Sequence, residues 1–427
     1  MKYTKYSTYS YNLHVIKTNK FKTVTVQVNF KRKLIKDEIT IRNLLINVLC
    51  TSTHDYDTKR LMNIACEDLY ELQYQASNYI SGRYNIMSYE ATFLNEKYTE
   101  VGYTDKSIKF LSDLIFKPNV EQKRGITYFK DSAFKIGYNS LKDNLFALKE
   151  NPDIYSKIRM YECMEPNSCI SYRGCGYIED LESIDSKKLY EYYTSVLNSD
   201  TVDIFVIGDV NNMVIKKLIE SNFKMKTLKK PTESHFITPK KNRLIPKTIK
   251  EKMGINQSKL SIGFKIDKMT DFERRYVLNV YSYILGGGPD SKLFKNVREK
   301  NSLCYYINST TVPLTSTMSI NAGINAKDYK KTLSLIKSEV SSMRKGKFDD
   351  DDIIKAKITY INGLKELEDN AGSLISLYAG IEYLNSHTID QRFVNINKVS
   401  KNDVVKLANK IHMDTIYLLE GDLNEKN

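Results

Sequence analysis

The sequence predicts an α+β fold in two homologous domains, each a mixed sheet with helices packed mainly on one face, joined by a linker. Three observations predict it. The chain has 427 residues, 41% of them apolar, which is enough to bury more than one core. Segments with the same residue pattern recur in the same order in the two halves. Between the halves lies a Lys- and Pro-rich stretch, 224–251, with no apolar period, which reads as the linker between domains 1–223 and 252–427.

The repeat is explicit. Asp57–Ile64 resembles Asp290–Val297 at an offset of 233, and at nearly the same offset the run ending in Phe30 resembles the run ending in Phe264. Later, Ile204–Asn211 resembles Ile416–Asn424, and each follows a helical stretch, Ser186–Leu197 and Lys401–Ile411. Four features in one order imply a duplication.

In the first half, Thr23–Phe30 alternates as a strand with Val24, Val26 and Val28 on one side. Ile41–Leu49 and Thr58–Leu72 carry helical periodicity. Ala76–Gly82 and Ile86–Leu94 read as antiparallel strands. Asp105–Phe116 is a helix stopped by Pro118, and Asn119–Lys149 reads as one long helical stretch. The second half follows suit. Lys259–Ile266 is a strand, and Asp271–Leu285 and Ser291–Lys300 are helices, the latter opened by Pro289 and Asp290. Strands at Leu303–Thr310 and Thr315–Ile324 precede helices at Lys327–Arg344, Asp349–Glu368 and Gly372–Tyr383. Strands alternating with helical pairs give the mixed sheet.

Composition excludes several classes. Lys plus Arg number 65 against 51 Asp plus Glu, a net charge of +14, but the excess is spread along the chain and forms no basic arm, so a nucleic-acid partner is not expected. No run approaches the roughly 18 uncharged apolar residues of a membrane helix. The opening MKYTKYSTYSYN has no apolar signal core, so a cytoplasmic location is expected. The six cysteines include no C-x-x-C pair; Cys163, Cys169 and Cys175, six apart, read as reduced thiols rather than metal ligands.

The five histidines are at least 25 residues apart, so no helix presents two imidazoles on one face and both H-E-x-x-H and H-x-x-E-H are excluded. Gly286, Gly287 and Gly288 form the most glycine-rich segment. They lack the G-K-[ST] of a phosphate loop, and Pro289 removes an amide donor. What remains is a flexible loop, or bare backbone that a peptide can approach closely. Arg298 falls on the last turn of a short helix and Tyr305 at the start of the next strand. Such a corner can bring to one sheet edge a guanidinium fork for carboxylates or carbonyls and a phenol for a developing oxyanion. Spacing alone is equally met by a helix-capping Arg and a sheet Tyr. The acidic run Asp349–Asp352 lacks the glycine and spacing of a calcium loop and fits a helix N-terminus.

As a set, the segment from Leu285 to Ser309 (LGGGPDSKLFKNVREKNSLCYYINS) resembles the second-domain signature of the pitrilysin/insulinase family of zinc peptidases, most closely its mitochondrial-processing-peptidase-like branch. The family pattern runs L-G-G-G, S-x-L-F, R-E-K, then a Tyr seven residues after the Arg, and here that spacing holds from Arg298 to Tyr305. The resemblance covers nearly the whole chain and implies one half of a clam-shell peptidase dimer. It also exposes a departure. Asn47, Cys50 and Thr51 stand where the family's zinc helix has His, Glu and His, and the downstream glutamate ligand falls near Phe129 or Lys130. Heterodimeric members pair a zinc-bearing subunit with a zinc-free homologue. The resemblance therefore implies a bacterial zinc-free subunit with no metal or cofactor of its own, inactive alone. Its partner is expected to be a homologous H-x-x-E-H subunit carrying the zinc. Arg298 is then expected to hold substrate main chain, Tyr305 to bond the oxyanion in the partner's site, and Gly286–Gly288 to guide the peptide. The alternative is a structural protein on the same fold with no catalytic share. At the offset of 233, Ala65 and Leu72 occupy the positions of Arg298 and Tyr305, so the polar pair occurs in one half alone.

Overall fold

The computed structural model describes residues 1–225 and 233–421. Of the segment predicted as linker, 226–232 lies outside the described residues, as does the end of the second Gly-Asp element, 422–424. The chain forms two compact units. The first comprises Met1–Ala147, Arg173–Ser234 and Glu368–Leu384; the second comprises Leu148–Tyr172, His235–Leu367 and the chain from Asn385 onward.

The first unit is built on a six-stranded sheet of β1 (Lys2–Ser7), β2 (Asn12–Lys17), β3 (Thr23–Lys33), β4 (Gln73–Ser81), β5 (Tyr84–Leu94) and β8 (Thr201–Gly208), in the order β1-β2-β8-β3-β5-β4. A separate hairpin joins β6 (Val120–Lys123) to β7 (Ile126–Phe129). The second unit has five strands, β9 (Lys247–Met253), β10 (Ser258–Ile266), β11 (Cys304–Val312), β12 (Thr317–Ile324) and β13 (Ile411–Gly421), in the order β9-β13-β10-β12-β11. The two orders are the same topology. β2 runs parallel to β8 as β9 does to β13, and the remaining pairs are antiparallel. Among the described residues, β1 and the β6–β7 hairpin have no counterpart in the second unit. The duplication read from four short segments is therefore a duplication of the whole sheet.

Most helices cover one face of each sheet, as expected, and one helix lies on the other. In the second unit, Ile416 and Leu418 of β13 join the main core while Tyr417 and Leu419 pack with Tyr155, Met160 and Met164 of the Pro152–Met164 helix. Period-two alternation sends the two sets to opposite faces. Gly263 in β10 makes room there, since a Cβ would stand 2.4 Å from the Met160 sulfur. In the first unit the Ala371–Leu384 helix takes the equivalent place. Lys31 lies 3.8 Å from the Tyr383 ring centroid, Glu382 accepts from Tyr3, and His14 bonds Asp203 at 3.1 Å. Covered on both faces, β8 and β10 are buried at every residue, like the central strands of a two-sided layer.

Some elements depart from the sequence reading. The stretch 119–149 is not one helix. The β6–β7 hairpin occupies its start, turning at Arg124 and Gly125, both at positive φ (53° and 78°), and a helix follows from Asp131 to Ala147. Glycine at that turn and the alternation beside it outweigh the helical period. The end of the predicted linker is strand β9, in which Ile249 and Met253 pack inward between exposed lysines. Strands β1 and β2 and the helices Pro152–Met164, Asn212–Asn222 and Ile389–Asn397 lie outside the elements that residue order predicts. No helix among the described residues is long and apolar enough to cross a membrane.

Candidate functional site

The corner that carries Arg298 and Tyr305 is built on buried anchors. Leu293 and Val297 are fully buried beneath it. Between them the helix widens into a π-helical turn over Phe294–Glu299, closed by the Lys300 N–H donating to the Lys295 carbonyl at 3.0 Å. An extra residue in one turn rotates the side chains that follow by about 100°. The chain then reverses. Ser302 N–H donates to the Arg298 carbonyl at 2.9 Å and Leu303 N–H to that of Val297 at 3.2 Å, with Ser302 in the left-handed region at φ 50°.

Strand β11 begins irregularly. Cys304 pairs with Ile324 and Tyr306 with Gly323, so the register shifts across Tyr305 and leaves that residue without a cross-strand partner. This is a β-bulge on an edge strand, a device that re-aims a side chain. Tyr305 is accordingly 63% exposed. Arg298 is exposed as well, and its guanidinium lies 4.5 Å from the Phe294 ring centroid. Among the described residues neither Arg298 nor Tyr305 has a hydrogen-bond or ion-pair partner for its side chain. Burial pushes the Cys304 thiol up to about 11, against the opposing field of Arg298, so the guanidinium charge is felt at the residue next to Tyr305.

The three glycines divide. Gly286 ends the Leu278–Gly286 helix against β11, where a Cβ would meet the Ser309 backbone nitrogen at 2.8 Å. Gly287 is equally constrained, with Tyr283 Cα 2.6 Å from its missing Cβ. Only Gly288 presents open backbone, with nothing within 4 Å. Packing thus explains two of the three without a ligand.

The helix on which the resemblance expects the zinc ligands is Ile39–Leu49, which ends before Cys50 and Thr51. Asn47 is half-buried on it. Burial pushes the Cys50 thiol up to about 12 even with Lys59 nearby. The Thr51 hydroxyl donates to the Val48 carbonyl at 2.7 Å. Lys59 Nζ bonds the Tyr74 hydroxyl at 2.8 Å and reaches the Cys50 carbonyl at 3.4 Å. Phe129 is buried edge-on against Tyr190 and Tyr193, and Lys130 pairs with Asp57 at 3.2 Å. Zinc calls for imidazole, thiolate or carboxylate ligands. An amide, a thiol held protonated and a hydroxyl already committed to a carbonyl do not fit it, and nor do a phenyl ring and an ammonium. The described residues contain no group of three or more His, Cys, Asp or Glu able to hold a metal.

Sequence reasoning located the Arg and the Tyr by type and spacing. It missed the π-helical turn, the bulge and the aromatic platform of Phe294, none of which has a signature in residue order beyond an aromatic four positions before the Arg.

Comparison with known proteins gives a consistent set. Residues 183–360 match the family model described as the peptidase M16 inactive domain. Over 419 residues the chain is 29% identical to the probable inactive metalloprotease YmfF of Bacillus subtilis, spanning 96% of this chain and 95% of that protein. It is 24% identical over 307 residues to an uncharacterized zinc protease of the same organism, YmxG, covering 66% and 72% of the two chains. The crystal structure of a conserved protein from Enterococcus faecalis superposes with a TM-score of 0.91 at 26% identity, over 99% of each chain.

Proposed function

Given that the chain belongs to the peptidase M16 family, as an inactive metalloprotease-like member, we propose that it is the non-zinc subunit of a heterodimeric metallopeptidase that cleaves peptides. In this reading its partner is a homologous H-x-x-E-H subunit, and this chain lends Arg298 and Tyr305 to the partner's site.

One observation carries the proposal. The exposed guanidinium and the bulge-presented phenol stand on one corner with no hydrogen-bond or ion-pair partner among the described residues, on a scaffold whose own zinc positions have the wrong chemistry. The rigid fork of Arg298 suits main-chain carbonyls or a carboxylate of an extended peptide. Tyr305, a neutral O–H donor, suits the oxygen on which charge develops as the scissile carbonyl is attacked. Gly288, ten residues before Arg298, has open space at its backbone. Water activation falls to the partner's zinc, so this chain alone lacks that step. Bacterial origin and a cytoplasmic location belong to the same reading.

The test is reconstitution. The pure chain, a zinc-bearing homologue and their mixture are assayed on a fluorogenic peptide, with assembly followed by size-exclusion chromatography. We expect activity in the mixture alone. Tyr305→Phe should lower kcat/KM by roughly 10²–10³, the usual cost of one oxyanion donor, and Arg298→Ala should also abolish most activity, with assembly intact. Full activity of both variants in an intact complex would instead make the chain a scaffold.

A further inference from the structure

We infer that Phe294 is a positioning residue for Arg298: its ring is the platform that fixes the guanidinium at the corner. The inference rests on the reading of Arg298 as a donor to another subunit's substrate, and extends it to a residue which that reading leaves out.

The geometry is local to the second unit. The guanidinium carbon of Arg298 sits 4.5 Å from the centroid of the Phe294 ring, within the range of cation–π attraction. Both residues belong to the same π-helical turn, whose ends are fixed by the buried Leu293 and by the Lys300-to-Lys295 hydrogen bond. An exposed Arg ordinarily samples many rotamers. Here no hydrogen bond or ion pair among the described residues restrains it, so the ring is what remains to select its orientation. A guanidinium stacked by its face keeps its N–H edge free to meet a carbonyl or carboxylate. An ion-pair partner would have restrained it too, but would have occupied those same donors.

The first unit supplies an internal control. The corner bond from Leu303 N–H to the Val297 carbonyl recurs as Leu72 N–H to the Cys66 carbonyl at 3.1 Å, an offset of 231 at which Phe294 and Arg298 correspond to Asn63 and Glu67 in a regular helix, Lys59–Asp68. Asn63 is exposed, so an aromatic ring has room there, yet none is present where there is no guanidinium to hold. Ring and cation occur together in one copy and are both missing from the other.

The test is a double-mutant cycle in the reconstituted mixture with a zinc-bearing homologue, reading kcat and KM separately for Phe294→Leu, Phe294→Tyr, Arg298→Ala and the Phe294→Leu/Arg298→Ala double variant. Phe294→Leu should lower kcat/KM roughly three- to fivefold, the size of an exposed cation–π contact. Phe294→Tyr should restore it, and Phe294→Leu should cost nothing further when Arg298 is already Ala. In the full chain without partner, ¹⁵N relaxation at Arg298 Nε–H should show the side chain becoming more mobile in Phe294→Leu, with the melting temperature unchanged. The inference is overturned if the two losses multiply, if Tyr fails to rescue, or if Arg298 mobility is the same in both proteins. Should Arg298→Ala itself leave activity intact, the trans-donor reading falls first and takes this one with it, a result distinct from the other three.

Discussion

The same helix–turn–strand corner occurs twice in this chain, and the two copies have been put to different uses. In the first unit the helix Lys59–Asp68 is a regular α-helix, β4 pairs with β5 without a register shift, and the Leu72 N–H bonds the Cys66 carbonyl as Leu303 bonds Val297, which sets Glu67 where Arg298 stands. In the second, the helix widens, the strand bulges, and the corner holds an exposed Arg298 and a Tyr305 that is 63% exposed. Regular backbone accompanies the corner without the guanidinium and phenol, and irregular backbone accompanies the corner that exposes them. A purely structural role predicts the reverse economy, because π turns and bulges forgo regular hydrogen bonding and are kept where they aim a side chain. The comparison teaches that, among the described residues, the irregular backbone belongs to the copy of the corner that exposes a guanidinium and a phenol.

The largest expected effect lies at a buried arginine of the first unit. Arg42 is fully buried, 2.9 Å from Asp200 and bonded to Asn85 and the Phe30 carbonyl. Arg42→Met should cost about 3–5 kcal/mol in urea denaturation because it strands a buried carboxylate. Burial already pushes the Asp200 carboxyl up, against both Arg42 and Arg32. A carboxyl whose folded pKa lies above its unfolded one loses stability as pH rises between the two values. The Arg42→Met loss should therefore be smaller at pH 5 than at pH 8, and equal losses at the two would remove the carboxylate from the explanation.

A middle range of effects sharpens the corner comparison itself. Leu72→Tyr, which puts a phenol into a buried position of the first-unit corner, should overpack the core by about 1–3 kcal/mol. Gly286→Ala should cost a similar amount, about 1–3 kcal/mol, because its Cβ would stand 2.8 Å from the Ser309 nitrogen, while Gly288→Ala should be nearly neutral. Thermal melts read all three, and a neutral Gly286→Ala would mean that the helix end does not rest on β11 as described.

The smallest effect is the most discriminating. Arg298→Ala and Tyr305→Phe should change stability by no more than about 0.5 kcal/mol, although both should nearly abolish activity in the reconstituted mixture. Should either variant prove several times more destabilising, the residue serves the fold, and the two corners differ less than their exposures indicate.

Much of this organisation was legible in residue order. Val24, Val26 and Val28 announced β3, the paired apolar runs announced β4 and β5, and the recurrence of Asp57–Ile64 at Asp290–Val297 announced the second copy. Strand β9 was hidden because Ile249 and Met253 are separated by lysines that mimic a linker, and β1 and β2 because Tyr, Asn and Lys obscure their alternation. The hairpin β6–β7 was lost inside a helical window because a two-residue turn outweighs a longer period only when its strands find each other.

Residue order by itself determined that there are two copies of one unit, that no two histidines stand close enough to form H-x-x-E-H, and that a guanidinium and a phenol lie seven residues apart in one copy. Those are properties of composition and spacing, which no folding can alter. Tertiary structure alone decided that the helix under Arg298 is π-helical, that β11 bulges at Tyr305, that Gly286 must be bare and that Phe294 lies beneath the guanidinium. Each depends on hydrogen-bond register or on the approach of another segment, such as Ile324 or Ser309, and such long-range pairings leave no imprint on local periodicity.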